Sequence, residues 1–128
     1  MKNVGDYRDI INNYWFGKNY MEWMLNGSKY DEEIKKDFKW ILTRAEKGEL
    51  EYYKNTKKGF LAYIILLDQI PRHIYRGTDK AYKCDSQVCT FMKENLDKYL
   101  TKYSAIKQMF ILMPLQHSEN IKDQELGI

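Results

Sequence analysis

Apolar side chains recur every third or fourth residue through most of the chain, and this spacing is typical of one buried face of an α-helix. The first such stretch lies near the N-terminus and ends at Gly17, a residue type that commonly terminates helices. A shorter second turn is predicted over residues 21–25. The buried face of the first predicted helix comprises Tyr7, Ile10, Ile11, Tyr14 and Trp15.

A long helix is predicted from Asp31 to Gly48, with signals at both ends. Asp31 is predicted to cap the N-terminus, where a carboxylate also interacts favourably with the helix dipole. Lys47 suits the negative C-terminal end, and Gly48 is free to adopt the left-handed conformation that ends many helices. The predicted inner face comprises Ile34, Phe38, Ile41, Leu42 and Ala45.

A third helix is predicted after Thr56, which can cap it, and its residues 60–67 are apolar on all sides. Such a helix must lie at the centre of the fold. A buried β-strand is the alternative for this run, but the cap before it and the lack of other strand-like segments favour a helix. Pro71 clashes with the carbonyl four residues earlier, so the helix is expected to end or kink there.

Two more helices are predicted, one capped by Asp85 or Ser86 and one that begins at Thr101 and ends at Pro114. Ser118 is then predicted to cap a short final helix. The predicted fold class is therefore all-α, as a multi-helix bundle without detectable sequence repeats. At 128 residues, the chain is expected to form one domain over residues 1–128.

Composition and charge narrow the classes of function. Apolar residues make up 44% of the chain, which predicts a folded core. The 21 basic and 18 acidic residues are spread along the whole length, so we expect no nucleic-acid partner. The charged N-terminus and the lack of a long apolar run predict a cytoplasmic protein with no membrane contact. Cys84 and Cys89 are predicted to be reduced packing residues.

A polar run, residues 68–78, follows the apolar helix directly and is the strongest candidate for a binding site. Arg72 and Arg76 lie one helical turn apart and can present two guanidinium groups to a carboxylate or phosphate. Gly77 allows a tight turn, and Thr78 can cap the next helix. The structural alternative is that both arginines neutralise the carboxylates of Asp68, Asp85 and Glu119 inside the bundle.

His73 and His117 are the only two histidines, and either can act as an acid or a base near neutral pH. A metal site with Asp68, Asp85 and Glu119 is conceivable, but no metal-ligand spacing supports it, so we predict neither metal nor cofactor. Ser118 is predicted to cap a helix rather than to act as a nucleophile. The aromatic residues of the first two helices either line a ligand groove or pack in the core, and their helical spacing favours the core.

Five groups of residues, in this order along the chain, resemble the bacterial family called domain of unknown function 924. They are Tyr14-Trp15-Phe16-Gly17, Trp23, the run from Leu66 to Thr78, Asp85, and Leu115-Gln116-His117-Ser118-Glu119. The resemblance implies an all-helical fold like that of tetratricopeptide-repeat proteins, a right-handed superhelix. Three residues depart from the family pattern, which has asparagine at His73, glutamate at Gln116 and aspartate at Asn120.

Family members continue beyond the end of this chain, so we expect an uncovered C-terminal face that recruits a second copy or a protein partner. The leading hypothesis is a helical interaction module that binds an acidic peptide or a small anion. The alternative is a small hydrolase or transferase that acts on an anionic metabolite, with His117 as acid or base and Asp68 orienting it. The predicted ligand-binding residues are Asp68, Gln69, Arg72, Arg76, Asp85, His117 and Glu119.

Overall fold

The computed structural model describes residues 7–117, which fold into seven α-helices joined by short helical turns and loops. These described residues contain no β-strand, so the predicted all-α class is confirmed. The helices are α1 (Tyr7–Phe16), α2 (Tyr20–Asn26), α3 (Asp31–Glu46), α4 (Lys57–Ile64), α5 (Ile70–Ile74), α6 (Asp85–Tyr99) and α7 (Ala105–His117).

Helix α3 follows its sequence signals closely along its length and at its C-terminus. Its predicted apolar face is the face that is buried in the structure. Gly48 has a φ of 80°, the left-handed conformation that glycine adopts without steric cost. Packing of this face against α5 brings the start of α3 next to the polar run that follows α4.

Helix α4 and the segment that follows it form the centre of the molecule. Thr56 caps α4, and its side-chain oxygen accepts a hydrogen bond of 3.0 Å from the Gly59 N–H. The apolar stretch 60–67 is almost completely buried, as predicted for a helix that is hydrophobic on all sides. The helical interpretation of this stretch is therefore right and the β-strand alternative is wrong.

Pro71 changes the type of helix instead of ending it. Between α4 and α5 the backbone forms a π-helical segment, Ile65–Gln69, in which the Ile70 N–H donates to the Ile65 carbonyl five residues earlier. Pro71 then falls in the first turn of α5, where its missing N–H costs nothing. The expected break is thus replaced by a wider turn, and such turns are frequent at functional sites.

Two predicted helix caps are wrong, because the carboxylates have other partners. Asp31 is the first residue of α3, and its side chain binds Arg76 and His73 instead of capping backbone N–H groups. Asp85 is the first residue of α6, where neither it nor Ser86 is the cap, and its carboxylate binds Arg72. An arginine fork is a stronger partner for a carboxylate than a neutral N–H.

Three further predictions of helix ends, at Thr78, Thr101 and Pro114, are also wrong. Thr78 is extended, and its hydroxyl donates to the Tyr75 carbonyl rather than accepting from the next helical turn. Thr101 lies in a short 3-10 turn, and α7 begins four residues later, after Ser104. Pro114 lies inside α7 and is buried, so the helix continues through it. The predicted final helix, beginning at Ser118, lies outside the described residues.

One hydrophobic cluster joins α1, α3, α4, α6 and α7. Trp15 of α1 and Trp23 of α2 stack with ring centroids 3.8 Å apart, and the Trp23 indole N–H donates to the Trp15 carbonyl. Cys84 and Cys89 are both buried and are not joined by a disulfide bond. Among the described residues, no helix is both long and apolar enough to cross a lipid bilayer.

Candidate functional site

Four side chains from three parts of the chain form a polar group that we call the Asp68 cluster: Asp68, Arg72, Asp85 and His117. Arg72 binds both oxygens of Asp85, at 3.0 and 3.1 Å, and donates to the Asp68 backbone carbonyl at 2.7 Å. The Nδ1 atom of His117 lies 2.8 Å from an Asp68 carboxylate oxygen. This cluster ties the polar run to the start of α6 and to the end of α7.

Asp68 is the centre of this cluster and has no solvent-exposed surface. It lies in the π-helical segment, within an otherwise apolar stretch, and the Gln69 amide donates to its second oxygen at 2.8 Å. A buried carboxylate without partners is very unfavourable, so these contacts are required for the fold. Because the carboxylate accepts a hydrogen bond, the neutral His117 ring carries its proton on Nδ1 and leaves Nε2 unprotonated.

Three further side chains form what we call the Asp31 cluster: Asp31, His73 and Arg76. The Nδ1 atom of His73 lies 2.8 Å from one oxygen of Asp31. Arg76 donates to both oxygens, at 2.6 and 3.1 Å. In the Asp31 cluster one aspartate thus binds both an imidazole and a guanidinium. Asp68 likewise binds His117 and lies beside Arg72.

The electrostatics of the Asp31 cluster follow from its partial burial. Burial lowers the pKa of His73 below its usual 6.5, although the neighbouring Asp31 carboxylate opposes the shift. Burial acts to raise the pKa of Asp31, but hydrogen bonds from Arg76 and His73 outweigh it, and the net shift is downward. At neutral pH the cluster therefore consists of an ionised aspartate, a protonated arginine and a neutral histidine.

Both clusters border one cavity of about 290 Å³. The cavity has aromatic and apolar side chains along its sides and polar side chains from α5, the π-helical segment and α7. Its lining residues are Trp15, Tyr20, Trp23, Met24, Gln69, Arg72, His73, Phe110, Met113 and His117. The site thus combines apolar surface with a small number of positioned polar groups, the usual composition of a small-molecule pocket.

The two arginines do not act together as the sequence suggested. Arg72 and Arg76 bind different aspartates, and the cavity is lined by Arg72 but not by Arg76. The predicted set Asp68, Gln69, Asp85 and His117 does lie together around Arg72. Glu119 lies outside the described residues.

Sequence reasoning missed two parts of this site. Asp31 was interpreted as a helix cap, and nothing in its local sequence signalled that it would meet residues more than forty positions away. Trp15 and Trp23, which the helical spacing predicts to be core residues, also line the cavity, together with Tyr20. The helical spacing of the aromatic residues was the available signal for this part of the cavity lining. An apolar helix face that packs in the core also borders any cavity within that core.

The Asp68 cluster also contains atoms that could coordinate a metal ion. Asp68, Asp85 and His117 each offer one ligand atom, and the three atoms lie within 4.8 Å of one another. The Arg72 guanidinium, which binds Asp85 and lies 3.8 Å from an Asp68 carboxylate oxygen, supplies positive charge at the same place. A metal ion bound by all three groups would have to compete with that guanidinium. The expectation of no metal stays a prediction.

The fold and the cavity together define an all-helical protein with two aspartate-held histidines at one aromatic pocket. The chain belongs to the bacterial protein family of unknown function DUF924, whose model matches residues 11–128. A solved structure of a protein of unknown function from Agrobacterium tumefaciens is similar, with a TM-score of 0.89 and 24% sequence identity over 94% of this chain and 69% of that one. That likeness shows the fold alone. No curated protein matches the chain.

Proposed function

We propose that this protein is a binding module for a small acidic ligand, or for an acidic side chain of a peptide. The observation that carries the proposal is the meeting of Arg72, His73 and His117 at one aromatic cavity. Each of these side chains is held by an aspartate at 2.8 to 3.1 Å. Side chains that are already oriented lose little entropy when they bind a ligand.

The distribution of charge around the cavity favours a ligand that accepts hydrogen bonds. Arg72 and both imidazoles line the cavity, whereas no aspartate is among its described lining residues. Hydrogen bonds to Asp68 and Asp85 use three of the five N–H groups of Arg72. Within residues 7–117, two N–H groups of Arg72 therefore remain for a ligand carboxylate or phosphate.

The formal charge of the Asp68 cluster adds a condition to this proposal. Two carboxylates and one guanidinium leave a net charge of −1 while His117 is neutral. A proton on His117 makes the cluster neutral and turns its Nε2 atom into a donor. The acidic ligand is therefore expected to bind together with a proton on His117.

The apolar walls favour a ligand with a flat apolar portion beside its acidic group. Trp15, Tyr20, Trp23 and Phe110 supply aromatic surface on which such a group can stack. Phenylacetate, which joins an aromatic ring to a carboxylate, is therefore a suitable first probe. Benzyl alcohol has a similar ring without the charge and serves as its control.

The test is a titration of the whole chain with phenylacetate, followed by amide NMR and calorimetry. Arg72→Gln is expected to weaken binding about tenfold, the value of one charge-assisted hydrogen bond. Arg44→Gln is the matched control, because Arg44 does not line the cavity and pairs with Glu49 outside both clusters, and it should leave the affinity unchanged. His117→Gln provides a second variant if Arg72→Gln fails to fold. Equal affinities for phenylacetate and benzyl alcohol, or equal losses in the two arginine variants, would contradict the proposal.

The second candidate is an enzyme that acts on an anionic metabolite with His117 as acid or base. The observation that favours it is the buried Asp68 carboxylate on His117 Nδ1, which fixes the ring and leaves Nε2 for proton transfer. A panel of carboxylated and phosphorylated metabolites, followed by NMR over time, separates the two candidates. Conversion that disappears in His117→Gln supports the enzyme, whereas binding without conversion supports the module.

A second copy of the chain or another protein remains the proposed macromolecular partner. Helix α2 offers apolar surface for such a contact, since Met21, Met24 and Leu25 are 58%, 61% and 71% exposed. The molecular mass in dilute solution tests the homodimer directly. A monomer at every concentration measured would contradict it.

A further inference from the structure

A second cavity, of about 420 Å³, lies where the start of α4 meets α1 and α7. Of the described residues, none lines both this cavity and the cavity of Arg72 and His117. Three lysines, Lys57, Lys58 and Lys107, contribute to its lining, together with apolar surface from Leu61 and Tyr103. Its volume is within the range of small-molecule sites.

The charge at this cavity is strongly positive. Besides the three lysines, the Arg8 guanidinium lies 3.3 Å from the hydroxyl oxygen of Thr56, which is itself a lining residue. Asp9 offsets part of this charge, since its carboxylate lies 3.3 Å from the ammonium group of Lys58. A concave surface with an excess of one charge concentrates the electric field and attracts ligands of the opposite charge.

Aromatic rings hold two of these lysines near the cavity. The Lys57 ammonium lies 5.1 Å from the centre of the Tyr103 ring, and the Lys107 ammonium lies 5.3 Å from that of Phe16. The Tyr103 hydroxyl donates to the Lys57 backbone carbonyl, which ties α7 to the start of α4. These contacts restrict the motion of the ammonium groups, so less entropy is lost when an anion binds.

Asn12 provides an independent sign that a hydroxyl group belongs here. Its side-chain N–H group donates to the Lys58 carbonyl at 3.0 Å, which fixes the orientation of the amide. Its Oδ1 atom is buried and accepts no hydrogen bond from any residue in the described range 7–117. A buried acceptor without a donor is unfavourable, and a ligand hydroxyl in the cavity would supply that donor.

From these observations we infer that the cavity binds a phosphate monoester that also carries hydroxyl groups, such as a sugar phosphate. The lysines bind the phosphate, Asn12 accepts a hydrogen bond from a hydroxyl, and the apolar part of the ligand lies against Leu61 and Tyr103. This site is separate from the proposed acidic-ligand site, because the two cavities have no lining residue in common within the range 7–117.

The test is an NMR titration of the whole chain with inorganic phosphate and with ribose 5-phosphate. Both probes are expected to shift the amide signals of Asn12, Lys57 and Lys107, with ribose 5-phosphate binding about tenfold more tightly. Lys57→Gln and Lys107→Gln should each weaken both probes about tenfold. Lys35→Gln, on the exposed side of α3, removes the same charge elsewhere and should change neither affinity.

Asn12→Ala separates the contribution of the hydroxyl from that of the phosphate. In this variant ribose 5-phosphate is expected to lose its tenfold advantage, while inorganic phosphate binds as before. The inference would be overturned if neither probe shifts these amides, if Lys35→Gln weakens binding as much as the cavity variants, or if Asn12→Ala leaves the tenfold ratio intact.

Discussion

The Asp68 and Asp31 clusters use the same three side-chain types in different surroundings. In each, an aspartate accepts from the Nδ1 atom of a histidine at 2.8 Å and lies beside an arginine. Asp68 is completely buried and Arg72 is 22% exposed, whereas the Asp31 and Arg76 side chains are 20% and 49% exposed. The same hydrogen bonds should therefore contribute much more to stability in the Asp68 cluster, because water replaces lost partners at the Asp31 cluster.

The difference comes from the backbone segment that carries each aspartate. Asp31 begins a helix at the surface, where its carboxylate remains partly hydrated. Asp68 lies in the π-helical segment at the centre of the molecule, where residues 65–68 are all buried. We infer that the Asp68 cluster is required for the fold and orients His117. The Asp31 cluster orients the His73 ring at the edge of the same cavity.

The largest expected effect is the loss of stability in Asp68→Ala. This change leaves Arg72 and His117 without their buried partner, and breaking such a pair costs about 3–5 kcal/mol. Asp31→Ala is the matched control and should cost about 1–2 kcal/mol, because Asp31 and Arg76 are more exposed than Asp68 and Arg72. Urea unfolding of both variants measures the difference. Equal losses would show that burial does not distinguish the two clusters.

A smaller effect is expected when the arginines are replaced. Arg72→Met removes the fork on Asp85 and the contact to the Asp68 carbonyl, and it should lower the free energy of unfolding by about 2–3 kcal/mol. Arg76→Met should cost less than about 1 kcal/mol, as is usual for an exposed ion pair. Thermal and urea unfolding compare the two variants. A larger loss of stability in Arg76→Met than in Arg72→Met would mean that the Asp31 cluster, and not the Asp68 cluster, contributes more to the stability of the fold.

Stability should also depend on pH through His73. Burial lowers its pKa below 6.5, so the unfolded chain takes up a proton that the folded chain does not. This contribution to stability is complete above pH 6.5 and is lost as the pH falls toward the folded-state pKa, with a slope of at most about 1.4 kcal/mol per pH unit. Urea unfolding between pH 5 and 8 measures it.

His73→Asn introduces the residue that the family pattern has at this position, and it serves as the control for the pH prediction. The asparagine amide can still donate to Asp31 but does not titrate. The variant should therefore lose less stability than the natural chain between pH 6.5 and 5. Identical profiles would mean that His73 does not contribute to the pH dependence.

The smallest predicted effect concerns the ring that covers Arg72. The guanidinium carbon lies 5.2 Å from the centre of the Tyr82 ring, and Tyr82 is 59% exposed. Tyr82→Leu should reduce stability by about 0.5 kcal/mol, the value of an exposed cation–π contact. In the Arg72→Met background the same change should have no effect. A loss that persists in that background would assign the role of Tyr82 to other contacts.

Much of the fold was predictable because apolar spacing determines which face of a helix is buried. The inner face of α3 and the burial of residues 60–67 follow directly from that spacing. The π-helical segment was not predictable, since a proline near the end of an apolar helix is compatible with a break, a kink or a wider turn. The helical periodicity also continued across Pro114, where proline chemistry alone suggested an end.

The candidate site was predictable in part, because several of its polar residues lie close together in the sequence. The motif around Arg72 brings Asp68 and Gln69 close together by sequence alone, and the family resemblance added Asp85 and His117. Asp31 could not be identified, because its contacts to His73 and Arg76 are set by the packing of α3 against α5. An aspartate at the start of a helix can cap the helix or bind a distant arginine, and the local sequence is the same in both cases.

Asp68 holds His117 at the cavity, and we propose that an acidic ligand binds there together with a proton. Since the chain has two histidines, a long-range ¹H–¹⁵N spectrum of the imidazole nitrogens resolves both rings during a phenylacetate titration. We predict that the neutral His117 ring carries its proton on Nδ1 and that saturating phenylacetate protonates its Nε2 atom. A proton on Nε2 before the ligand is added, or a His117 spectrum that does not change at saturation, would contradict the account.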